Sequence, residues 1–158
     1  MEKSDIIPFK QAIDYGIDVM LTGHLVMPKL TKLYPASMSK KMVNYIRNEL
    51  NFKGIIITDD MRMNSVKLLY GKYRAIKKAF KAGNDLIMVK YITNDKVFEK
   101  VERAITKKKI SEENLDESVK KILELKSKYK INDDLQIQKI DVEKYNEKIL
   151  EIRNLCGY

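Results

Sequence analysis

Apolar residues along this chain follow two different periods. Residues 17–22 (Ile-Asp-Val-Met-Leu-Thr), 54–58 (Gly-Ile-Ile-Ile-Thr) and 85–89 (Asp-Leu-Ile-Met-Val) are short apolar runs closed by polar or acidic residues. Their length and β-branched content predict three strands. The remaining apolar positions recur three or four apart, the spacing of one helix face. Residues 8–15 predict a helix ended by Gly16, and a loop containing Pro28 and Pro35 follows the first strand. Ser37 or Ser39 can cap the next helix, which carries Met42, Ile46 and Leu50 on one face. Residues 72–82 predict a helix closed by Gly83 and Asn84.

Beyond Lys90 the strand pattern stops. Residues 95–107 are amphipathic, with Val97, Val101 and Ile105 four apart. Ser111 caps a further helix whose first turn holds Glu112 and Glu113, where the helix dipole favours acids. Leu115, Val119, Ile122 and Leu125 form its expected buried stripe. A break at residues 132–134 separates it from a polar helix over 141–155. Strands alternating with helices, without hairpin signals, predict a parallel α/β arrangement followed by helices.

The run at residues 54–58 leads directly into Asp59 and Asp60. An Ile run of this kind reads as a strand buried on both faces, and parallel sheets place chemistry at the C-terminal ends of such strands. The pair therefore reads either as a site with a reactive carboxylate or as the solvated opening of a βα loop. His24, the only histidine, follows the first strand at the equivalent end.

Composition narrows the function classes. The 158 residues carry 31 Lys+Arg against 22 Asp+Glu, a net charge of +9. The lysines are spread through most helices, and no aromatic-rich basic stripe is present to stack bases, so no nucleic-acid partner is expected. The single Cys156 makes no internal disulfide and has no metal-site spacing, which fits a reducing compartment. Met1 is followed by Glu2, Lys3, Ser4 and Asp5, unlike a signal peptide, and the apolar runs are short for a membrane span. The expectation is a cytoplasmic protein with no membrane partner. No ligand cluster implies a metal or an organic cofactor.

Several segments, in order, resemble the catalytic barrel of glycoside hydrolase family 3, in its β-N-acetylglucosaminidase (β-hexosaminidase) branch. They are Pro8-Phe9-Lys10-Gln11-Ala12-Ile13, Gly16-Ile17-Asp18-Val19-Met20 with Thr22-Gly23-His24, and Pro35-Ala36-Ser37-Met38-Ser39. Gly54 through Met63 is similar to the nucleophile strand, Ala82-Gly83-Asn84-Asp85-Leu86-Ile87-Met88 to the final strand, and residues 110–126 to the closing helix. The resemblance implies an α/β fold made of the last three βα units of a TIM-type (β/α)8 barrel, followed by C-terminal helices. Residues 1–131 would be the C-terminal part of that barrel and residues 132–158 a helical extension.

The same resemblance implies retaining hydrolysis of terminal β-N-acetylhexosaminides, of muropeptide or chitin type, without a cofactor. Asp59 falls on the nucleophile, and Asp60 on a variable position without a catalytic role. His24 and Met63 fall near the sugar as substrate-binding or pocket-lining residues, His24 not being the family's acid/base. Read from residue type alone, Met61 and Met63 are each expected as gap-filling core rather than substrate contacts, and Lys90 is expected in solvent. In the family the acid/base His with its assisting Asp, and a Lys-His pair that grips the sugar, precede the position of Pro8. A separately encoded N-terminal barrel part is thus one expected partner. The alternative is a non-catalytic remnant or a carbohydrate-binding module of the same fold. A phospho-acceptor domain fits poorly, because its acceptor Asp follows the third strand, whereas Asp85 precedes that segment.

Overall fold

The computed structural model of the chain describes residues 4–90, 96–132 and 141–157. Its centre is a parallel pair, β1 (Val19–Thr22) and β2 (Ile55–Thr58), with Val19 opposite Ile55 and Thr22 opposite Thr58. The first strand starts two residues later than the apolar run predicts. Ile17 still closes α1 (Ile7–Tyr15) through its N–H to Ala12 O, and Gly16 ends that helix in the left-handed region at φ +94°. The Asp18 carbonyl takes the Ile55 N–H at 2.8 Å.

The third predicted strand is corrected by the structure. Residues 85–89 run beside β2 but form only one bridge, Ile57 to Leu86. The cause is side-chain substitution of ladder bonds. The Ile56 N–H donates to the Asp85 carboxylate at 2.8 Å, and the Met88 N–H donates to the Thr58 hydroxyl at 3.1 Å. Main-chain bonds from Thr58 N to Leu86 O and from Met61 N to Met88 O keep the segment in place.

The predicted proline loop holds a four-residue helix, α2 (Pro28–Thr31), and a 3-10 turn, Ala36–Met38. Ser39 rather than Ser37 is the cap, its Oγ accepting from Met42 N at 3.3 Å at the start of α3 (Lys40–Asn44). The helix continues as a π-helical turn, Tyr45–Glu49, closed by the Leu50 N–H on Tyr45 O. A helix absent from the sequence expectation, α4 (Asn64–Tyr70), precedes α5 (Lys72–Ala82); it buries only Val66. Then follow α6 (Lys96–Thr106), α7 (Glu112–Lys128) and α8 (Val142–Leu155). Residue 95 and residues 133–134 of the predicted break lie outside the described residues. Ser111 caps α7 as predicted, and Asp141 caps α8.

Two apolar clusters hold the elements from α1 to α6. Met20, Ile56, Val43, Ile46 and Phe52 pack between the sheet and the α3 segment. Met61, Val66, Ile76, Ala79 and Val97 pack between the β2 end and α4–α6. The expected stripe of α7 is rolled: Val119 is 45% exposed, whereas Ser118 is buried. Ser118 and Lys121 face Asp85 at 3.0 and 3.1 Å, so a polar contact sets the rotation of this helix. On β1, Met20 and Thr22 are buried, but Val19 and Leu21 stand 43% and 54% exposed on the opposite face. No helix among the described residues is long and apolar enough to cross a membrane.

Candidate active site

The β2 strand ends at Thr58, fully buried, and delivers Asp59 half-buried at its C-terminal end. The Asp59 N–H donates to Thr22 O at 3.0 Å, fixing the residue to β1. Its Oδ1 accepts the Asp60 N–H at 2.7 Å. Among the described residues nothing donates to Oδ2, so one oxygen of an oriented carboxylate stays open.

Asp60 points elsewhere. Its Oδ1 accepts two main-chain N–H groups, from Arg62 at 2.9 Å and Lys90 at 3.0 Å. Partial burial pushes its carboxyl up, but these two bonds and the nearby Arg62 and Lys90 charges outweigh that and hold it below its ordinary value. Asp60 thus joins the loop after β2 to the end of the third segment. The solvated loop acid expected from sequence is instead a clasp.

His24 lies on the same side. Its Nε2 is 2.9 Å from Asp60 O and its Nδ1 is 2.7 Å from Ser37 Oγ. A carbonyl oxygen only accepts, so Nε2 carries the proton, and in that tautomer Nδ1 accepts a hydrogen bond from the Ser37 hydroxyl. The network runs deeper: the Ser37 carbonyl accepts from Asn84 Nδ2 at 2.8 Å, and Asn84 Oδ1 lies 3.1 Å from the Thr22 hydroxyl. Both ring nitrogens of His24 are therefore engaged by the protein, and its place beside Asp60 is fixed from behind. Met63 is 44% exposed where the β2 loop enters α4, while Met61 is fully buried, as expected of a core methionine. Lys90 is exposed, and the Arg62 guanidinium donates to its carbonyl at 2.9 Å.

Sequence reasoning missed the Asp85 cluster. Asp85 is buried, with a side chain only 3% exposed, and its Oδ1 accepts from Ser118 and Lys121. Its Oδ2 accepts from Ile56 N and from the Arg47 guanidinium, which also donates to Phe52 O and Gly54 O. An Asp opening an apolar run was the available signal; that Arg47 and Lys121 meet there is a property of the fold. Among the described residues no group of three or more His, Cys, Asp or Glu could hold a metal ion.

A parallel strand that presents an oriented carboxylate at its C-terminal end, backed by helices, is the layout of the α/β enzymes whose sites lie at strand ends. The family model of the glycosyl hydrolase family 3 N terminal domain matches residues 1–125, and the chain belongs to this family. The curated relatives include β-hexosaminidases. That of Nitrosospira multiformis is 32% identical over 90 residues, 56% of this chain and 26% of the relative. That of Hydrogenovibrio crunogenus is 36% identical over 86 residues, 54% of this chain and 24% of the relative. A solved glycoside hydrolase family 3 β-N-acetylglucosaminidase from Paenibacillus sp. FPU-7 superposes with a TM-score of 0.77 at 30% identity, covering 85% of this chain and 26% of that one. The β-N-acetylglucosaminidase of Thermotoga maritima shares the fold at a TM-score of 0.71 and 18% identity. The matched part is thus about a quarter of each curated relative, 26% and 24%.

Proposed function

We propose that this chain supplies the nucleophile-bearing part of a retaining β-N-acetylhexosaminidase. In this reading, residues 1–131 are the last three βα units of an eight-stranded barrel and residues 132–158 are a helical extension. The observation that carries it is Asp59: a strand-end carboxylate with one oxygen held by the Asp60 N–H and the other open. A free Asp59 oxygen attacks the anomeric carbon and forms the glycosyl ester. The glycosidic bond breaks, and its electron pair leaves with the departing oxygen, which takes a proton from a general acid. Water then attacks the same carbon, gives up a proton to the same group, and releases Asp59 as carboxylate. No cofactor enters either step.

The proton donor and the sugar-gripping groups belong, in this proposal, to barrel units outside these 158 residues, carried by a complementary N-terminal part. His24 and Met63 line the sugar side of the loop, His24 by holding the Asp60 carbonyl and Met63 by direct apolar contact. The exposed Val19 and Leu21 face supports this reading, because inward-facing strand residues of a barrel are covered by the other strands.

The test is hydrolysis of an aryl β-N-acetylglucosaminide by the chain alone and with a part carrying the preceding barrel units. Activity that needs both parts and disappears with Asp59→Asn is the expected result. Turnover that survives Asp59→Asn refutes the nucleophile assignment. Sugar binding without turnover in either preparation favours the carbohydrate-binding alternative.

A further inference from the structure

A concavity lies on the helical layer, in the groove between α5 and α6, with a volume of about 290 Å³. Its floor is apolar, formed by Ile76, Val101 and Ala104. Its walls carry six cations: Arg74, Lys77, Lys100, Arg103, Lys107 and Lys109. Among the described residues no Asp or Glu lines it. Among the described residues, only Arg103 of these six has a carboxylate within ion-pair distance, Glu99 at 3.6 Å. The bias extends along the sequence, since residues 61–84 contain seven Lys or Arg and no acid.

Six like charges around one groove repel one another, and the repulsion is relieved by a bound anion. A single carboxylate answers one or two of them; a short chain of phosphates answers most within a space of this size. Guanidinium forks and lysine point charges together suit phosphate oxygens. One face of the aromatic wall is already covered, because Lys100 Nζ sits over the Tyr73 ring at 3.6 Å from its centroid. We propose that the α5–α6 groove binds a ligand bearing clustered phosphates, recognised through its phosphate chain.

The probes are sodium tripolyphosphate and ATP, titrated calorimetrically into the full chain at low ionic strength. Saturable binding of tripolyphosphate is expected, weakening as salt is raised. Lys100 and Lys107 are both exposed, so Lys100→Glu/Lys107→Glu preserves the fold, which circular dichroism checks. This double variant is expected to lose about tenfold in affinity or more. Lys29→Glu/Lys148→Glu, an equal charge change at exposed positions outside the groove, is expected to lose less than about threefold. Absence of saturable binding, or equal losses in the two double variants, overturns the site. Comparable affinity for ATP and tripolyphosphate supports recognition of the phosphate chain; ATP binding more than about tenfold tighter overturns it in favour of a base-reading site.

Discussion

The Nε2–H of His24 donates to the main-chain oxygen of Asp60 at 2.9 Å, so the only histidine in the chain braces the residue that follows Asp59. The Asp60 N–H in turn holds Asp59 Oδ1. The strand-end carboxylate is therefore positioned by the N–H of a residue whose carbonyl His24 holds, with Ser37 behind the ring.

His24→Ala leaves the Ser37 hydroxyl and the Asp60 carbonyl without their partner. The expected loss is about 1–3 kcal/mol of unfolding free energy, the cost of an unmade hydrogen bond in a half-buried site. Urea denaturation measures it. A loss near zero would mean that water replaces the ring without cost.

The Asp60 carboxyl has a folded-state pKa below its ordinary value of 3.8. A depressed carboxyl contributes stability that is present above the unfolded pKa and is lost as pH falls through the folded one. Acid titration of the unfolding midpoint should therefore be shallower below about pH 4 in Asp60→Asn than in the parent. A parallel pair of curves removes this role.

Asp85→Asn replaces a buried carboxylate that answers both Arg47 and Lys121. Breaking one partner of such a buried cluster costs about 3–5 kcal/mol. Thermal unfolding by circular dichroism should show a large drop in midpoint. Lys121→Met, which removes the more exposed cation, should cost less.

Two glycines separate backbone proximity from mere turn composition. A Cβ at Gly54 would lie 2.3 Å from Asp18 O, a main-chain atom at the start of the sheet. Gly54→Ala should destabilise by several kcal/mol, on the order of 3, because the parallel pair must move apart. Gly23 has open space around the same position and no positive φ. Gly23→Ala should stay within about 0.5 kcal/mol in the same urea titration.

The sequence patterns reached the site further than they reached the sheet. The Ile run located β2 and its acids, because an all-apolar strand leading into a carboxylate is visible in one dimension. Residues 85–89 carry an equally good strand pattern, yet Asp85 and Thr58 spend side-chain groups where ladder bonds would form. Helix α4 was invisible because one buried residue, Val66, leaves no stripe. The rotation of α7 follows from Ser118 and Lys121 meeting Asp85, a residue 33 and 36 positions away. The cap at Ser111 was legible, since a capping side chain acts within three residues of itself.

The π-helical turn at Tyr45–Glu49 has a bearing on insertions and deletions. It carries one more residue per hydrogen-bonded turn than an α-helix would. Removing one residue there would restore ordinary helical bonding but rotate everything after it. Arg47 would then lose its aim at the Phe52 and Gly54 carbonyls and at Asp85. The interior ion pair is thus encoded by the number of residues between α3 and β2 as much as by their identity, and a single-codon deletion in this turn would be more disruptive than most substitutions within it.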